Sequence, residues 1–203
     1  MGIIGDSKST AANVWGFWGS TLISDIDAAG ILLGNRCEEN LSAIGLRNWA
    51  AGGASVKSAR YAIDGYIAEH SAETWQDHFT FLLNFGANDA GHIPFASEAD
   101  WKADYKYIID ALLTKWPVAK IYIAKPWIRT QPANCNTIAG WIDDIIEYYN
   151  GTNPGHIFEG HDERIWFENG DNGTTYSNLN DGTHYNVLGA NECIAQWKTV
   201  LGY

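Results

Sequence analysis

The chain has 203 residues, 46% of them apolar and 18% charged, the make-up of one globular domain with a sizeable core; two full domains would be a squeeze. Its 24 acidic residues outnumber 13 basic ones for a net charge of −11, which opposes binding to a polyanionic backbone and excludes nucleic acid as an expected partner. No apolar run approaches the roughly 18 residues that a membrane span needs.

The first element is a short buried strand at residues 2–4, cut off by Gly5. Met1 passes straight into it with no signal-peptide pattern, and so abrupt a start leads us to expect a longer parent protein or a leader trimmed away. Residues 44–50 (IGLRNWA), 78–85 (HFTFLLNF), 119–125 (AKIYIAK) and 156–160 (HIFEG) read as four further strands. Their lengths and their β-branched and aromatic content fit strands buried on both faces. Three amphipathic helices follow from apolar residues at three- and four-residue steps. One carries Trp101, Tyr105, Ile108, Ile109, Leu112 and Trp116, and the next carries Ile138, Trp141, Ile142, Ile145, Ile146 and Tyr149. The last carries Leu188, Ala190, Ile194, Trp197 and Leu201. Pro117 and Pro154 stand just past helix ends, as stop signals do. Strand and helix in alternation argue for a five-stranded parallel sheet between two helical layers, a single α/β domain over residues 1–203. The stretch from His161 to Gly182 reads as a long polar loop.

In such sheets chemistry gathers at the carboxyl ends of the strands. Ser7 follows strand one, Gly52 and Gly53 follow strand two, and Asn88 follows strand three. Asp181 and His184 come after strand five, just before the last helix. Each segment alone has a plain structural reading. Asp6, Ser7, Ser9 and Thr10 are common capping residues, the glycines suit an ordinary turn, and an asparagine after a strand is usually a turn residue. Together they make a set. Asp181 can accept from Nδ1–H of His184, which leaves Nε2 to take the hydroxyl proton of Ser7. The N–H groups of Ser7 and Gly53 and the amide of Asn88 are candidate donors to the oxyanion that results.

Gly5-Asp6-Ser7, Gly53, Gly86-Ala87-Asn88-Asp89 and Asp181-Gly182-Thr183-His184 resemble the four blocks of the SGNH hydrolases, also called GDSL esterases, in the right order and from residue 5 to roughly Gly189. The resemblance implies a flavodoxin-like three-layer α/β/α fold. It implies Ser7 as nucleophile, His184 as base, Asp181 as its orienting partner, and Ser7, Gly53 and Asn88 as the oxyanion hole. It also implies ester or thioester hydrolysis, with several members removing acetyl groups from glycans. Three features depart from the pattern: Lys8 stands where an apolar residue is usual, strand one is short, and Gly52 adjoins Gly53, so that either glycine can be the donor. The chain has no G-x-S-x-G elbow of the α/β-hydrolase kind.

Ten tryptophans, Lys8 and the lack of an apolar lid favour small acyl groups, acetyl first, on a carbohydrate. Spread from Trp15 to Trp197, most of the tryptophans are expected in the core. A general short-chain esterase, lipase or thioesterase would use the same machinery. A carbohydrate-binding module of an adhesin or viral fibre would keep the fold without turnover, and the intact Ser7, Asn88 and His184 speak against it. The expected partner is a small-molecule or glycan ester, with no cofactor and no metal. His156, His161, Asp162 and Glu163 lie close in sequence but are set aside as metal ligands, because strand alternation separates some of them and a polar strand end accounts for the rest. The Asn/Asp/Gly-rich run at 168–182 lacks a calcium-loop pattern. Cys37, Cys135 and Cys193 are too few and scattered for a disulfide framework. The chain reads as a soluble domain of undetermined compartment and oligomeric state, with an extracellular setting or a larger surface or virion protein both compatible.

Overall fold

Apolar runs without alternation are what a strand covered on both faces requires, and Phe81, Leu82 and Leu83 are all fully buried. A computed structural model describes residues 2–5, 47–48, 54–69, 80–91, 97–164, 183–185 and 187–202. Strands β1 (Gly2–Gly5), β2 (Arg47–Asn48), β3 (Thr80–Asn84), β4 (Lys120–Lys125) and β5 (Ile157–Asp162) form one sheet in the order β2-β1-β3-β4-β5. Every pairing is parallel. This is the flavodoxin-like order. Strand β5 runs two residues beyond the expected Gly160, so His161 and Asp162 belong to the sheet rather than to the loop read from the sequence.

The helices are α1 (Val56–Glu69), α2 (Ala87–Ala90), α3 (Glu98–Lys115), α4 (Pro132–Thr152) and α5 (Val187–Leu201). Helix α1 was not expected from the apolar periodicity. Its start is set by two serines that cap each other: Ser55 N–H donates to Ser58 Oγ at 2.8 Å, and Ser58 N–H to Ser55 Oγ at 3.2 Å. This is a capping box with serine in the usual Glu/Gln place. Ser97 caps α3 through Asp100 N–H, and Pro132 opens α4, where its missing N–H costs nothing.

The helices cover both faces of the sheet. Helices α1, α3 and α4 form one layer, α3 packing on both α1 and α4. The ammonium of Lys125, on β4, reaches Asp143 of α4. Trp197 of α5 meets His161 of β5 on the opposite side, ring centroids 4.9 Å apart. Between these layers the core is rich in aromatic rings: Phe81 lies 5.2 Å from Trp116 and 6.5 Å from Tyr66. Every tryptophan among the described residues, namely Trp101, Trp116, Trp127, Trp141 and Trp197, is buried. None of these is an exposed stacking platform. Cys135 and Cys193 are buried thiols, and Cys37 lies outside the described residues. No helix among the described residues is long and apolar enough to cross a membrane.

One irregularity positions the site. Ile123 pairs with Glu159 and Lys125 with Asp162, so β4 advances two residues while β5 advances three. The extra residue is a bulge at Gly160-His161. A Cβ on Gly160 would lie 2.8 Å from the backbone of Ile123 and Ala124 and from the ring of Trp197, and only glycine admits that approach. A one-residue bulge reverses the facing of everything after it. Glu159 shares the α4 side with Lys125, at 2.6 Å, and unbroken alternation would send His161 there too. The bulge turns His161 towards α5, where it packs on Trp197.

Candidate active site

Parallel strands bring all their carboxyl ends to one edge. The chain moves from β1 outward to β2 and returns past β1 to β3, so the crevice between β1 and β3 is the topological switch point where ligands bind in such sheets. Gly5 and Asn84 are register partners there, on strands about 4.8 Å apart. The segments leaving β1 and β3 therefore start side by side.

After β3 the backbone must turn sharply into α2, and Gly86 does this with a φ of 119°, open to glycine and strained for other residues. A Cβ there would also lie 2.8 Å from Pro126 and 3.1 Å from Ile138. The turn sets Asn88 part-buried on α2, where its Nδ2 donates to the carbonyl of Ala54 at 3.0 Å. An amide NH₂ has two hydrogens; this bond uses one and orients the other. It also ties the third motif block to the second, since Ala54 is bonded to Gly53.

The neighbouring Asp89 is buried and serves the fold. Both its oxygens accept from the backbone N–H of Val56 at 3.2 Å, and Oδ1 accepts from Trp101 Nε1 at 3.0 Å. A carboxylate at the first turn of α1 meets unpaired N–H groups and the positive end of the helix dipole. Asp89 thus holds α1, and Ala54 before it, against α2 and α3. Asn134 Nδ2 adds a bond from α4 to the carbonyl of Ala90.

At the other side of the edge lie Thr183 and His184, half-buried, and Tyr185, buried. The Tyr185 hydroxyl donates to Oε1 of Glu163 in a short hydrogen bond. Oε2 of Glu163 accepts from the backbone N–H of Trp127, just past β4, at 2.8 Å. Sequence reasoning gave Glu163 to a polar strand end. It is fully buried, and the Tyr185 hydroxyl and the Trp127 N–H satisfy its two oxygens there.

Of the expected site residues, Asn88 and His184 fall among the described residues, at the shared edge; Ser7, Gly53 and Asp181 lie outside them, as do Lys8 and His92. The four residues set aside as metal ligands are dispersed. His156 contacts the carbonyl of Ala119 at the amino end of the strands, and Asp162 pairs with Arg164 at 2.6 Å. His161 packs on Trp197, with Nε2 3.8 Å from Cys193 Sγ. Among the described residues no three His, Cys, Asp or Glu side chains group to hold a metal.

Scans of protein-family models and of curated proteins each return no match. Solved structures do match. The chain superposes on TesA with a TM-score of 0.70 at 12% identity, covering 98% of this chain and 96% of that one. It superposes on a member of the lipolytic protein G-D-S-L family from Veillonella parvula DSM 2008 with a TM-score of 0.66 at 16% identity, over 99% and 97% of the two chains. The fold is that of the SGNH hydrolases. A carbohydrate esterase family 3 protein from Talaromyces cellulolyticus shares this SGNH fold, with a TM-score of 0.69 at 17% identity over 99% of this chain and 96% of its own. Asn88 and His184 lie at the carboxyl edge of the sheet in this fold.

Proposed function

We propose that the protein is a serine esterase that removes small acyl groups, acetyl foremost, from a carbohydrate. The observation that carries this reading is the hydrogen bond from Asn88 to Ala54, which joins two motif blocks beside the paired strand ends Gly5 and Asn84. Covalent geometry adds to it. Ser7 is two peptide links from Gly5 and so within about 7 Å of it, and Asp181 is three residues from His184.

In this reading Ser7 Oγ attacks the acyl carbon while His184 Nε2 accepts its proton, with Asp181 holding the other ring nitrogen. The carbonyl oxygen becomes an oxyanion that accepts from the N–H groups of Ser7 and Gly53 and from the Asn88 amide. The alcohol leaves with the proton from His184, and water then repeats the sequence on the acyl-enzyme to release the acid. Solved structures with this fold include an acetyl esterase variant with acetate ion and an acetyl xylan esterase, at 16% identity each, which supports acetyl as the acyl group. The buried tryptophans withdraw part of the case for a sugar, leaving Lys8 and these relatives to support it.

Ser7→Ala should lower hydrolysis of p-nitrophenyl acetate by about 10³-fold or more with the fold unchanged by circular dichroism. Asn88→Ala should lower kcat by about 10²- to 10³-fold with KM little changed, since an oxyanion donor acts in the transition state. Full activity in the Ser7 variant means another nucleophile. A panel of acetylated sugars against acyl chains of rising length decides the substrate; preference for long chains rejects the acetyl-carbohydrate assignment and leaves a general esterase, lipase or thioesterase.

A further inference from the structure

Glu163 is a fully buried carboxylate that takes no part in the proposed chemistry, yet three segments of the catalytic edge meet on it. It follows directly on β5, its Oε2 accepts from Trp127 N–H beyond β4, and its Oε1 accepts from the hydroxyl of Tyr185. Tyr185 is bonded to His184. Glu163 is the first residue past β5, where the chain leaves the sheet in a helical turn.

We infer that Glu163 and Tyr185 are positioning residues that set the placement of the His184 imidazole. The inference rests on the reading of His184 as the base. A base must hold its nitrogen within about 2.6–3.2 Å of the hydroxyl it deprotonates, and a displacement of about 1 Å costs on the order of 10²-fold in rate. His184 is carried on a bend that runs into a β-bridge at Tyr185, and the tyrosine side chain adds a tie from this segment to the strand ends. The tyrosine hydroxyl ties it to the ends of two strands at once. A buried carboxylate with fixed donors is a rigid anchor, because moving either donor away leaves charge unsolvated.

Tyr185→Phe removes the tie and keeps the ring. Its kcat should fall about 10- to 100-fold with KM within about twofold. Glu163→Gln, whose amide can accept from Trp127 N–H and donate to the tyrosine oxygen, should retain several-fold more activity than Glu163→Ala. Tyr149→Phe is the control: it removes a hydroxyl bonded to Asp110 at 2.6 Å, near the end of α4 that lies by the amino edge, and should leave kcat unchanged. The ring signal of His184, followed by NMR through a pH titration, should shift or broaden in Tyr185→Phe and not in Tyr149→Phe. If Tyr185→Phe does not fold, Glu163→Asp, whose shorter side chain withdraws from the hydroxyl, carries the same comparisons. Wild-type kcat in Tyr185→Phe, where His184→Ala is inactive, overturns the positioning role. If His184→Ala is fully active, it is the base assignment that fails; the NMR comparison then judges the anchor by itself, and an unmoved His184 signal overturns it.

Discussion

Asp89 stands beside the oxyanion-hole candidate Asn88 and does a different job, capping α1 through Val56 N–H and binding the Trp101 indole. Replacing it by alanine leaves two buried donors unmatched, a loss of about 3 kcal/mol, or roughly 6–12 °C in melting temperature for a domain of this size. Calorimetry of Asp89→Ala checks this, and a loss below about 1 kcal/mol would mean that α1 is held by packing alone. The two halves of the Asn-Asp pair were not separable in sequence. Both are polar residues after a strand, and the sequence singled out Asn88 only as a motif member; the frame role of Asp89 comes from the partners it meets across the fold. Ser7, Gly53 and Asp181 were legible as motif members, and they lie outside the described residues.

Strand β5 shows how one glycine redirects an element. A methyl group on Gly160 would press at 2.8 Å on the backbone of β4 and on Trp197, whereas one on Gly140, exposed on α4, would meet nothing within 4 Å. Gly160→Ala should therefore destabilise by about 1–3 kcal/mol, the usual cost of overpacking. Gly140→Ala should stabilise by about 0.5–1 kcal/mol through its gain in helix propensity. Urea denaturation of both variants tests the pair, and a neutral Gly160→Ala would show that the bulge can relax. Short apolar runs located all five strands, and apolar periodicity located α3, α4 and α5, whose large apolar residues repeat at three- and four-residue steps. It missed α1, whose apolar face includes the small Ala59 and whose amino end is defined by Ser55 and Ser58. The strand reading stopped β5 short, because the residues after Gly160 are polar.

Across the whole molecule, a net charge of −11 gives the proposed carbohydrate-ester activity a testable dependence on polymer charge. Acetyl esters on a neutral polysaccharide should be turned over with a kcat/KM nearly independent of salt. Those on a polyanionic one should start lower and rise as salt screens the repulsion over a Debye length of about 10 Å at 0.1 M. Initial rates on matched neutral and acidic acetylated polymers between low and moderate ionic strength measure this; a rate on the acidic polymer that falls with salt would reveal a local cationic surface, with Lys8 a natural suspect.

The sequence by itself determined the class of the fold, the order of its five strands and of three of its helices along the chain, and the motif residues that could carry chemistry, because burial pattern and turn chemistry are local properties of the chain. The direction in which Glu163 points, the role of Asp89 and the bond from Asn88 to Ala54 were decided only by the folded molecule. Each depends on which residue of another segment stands opposite in the folded chain.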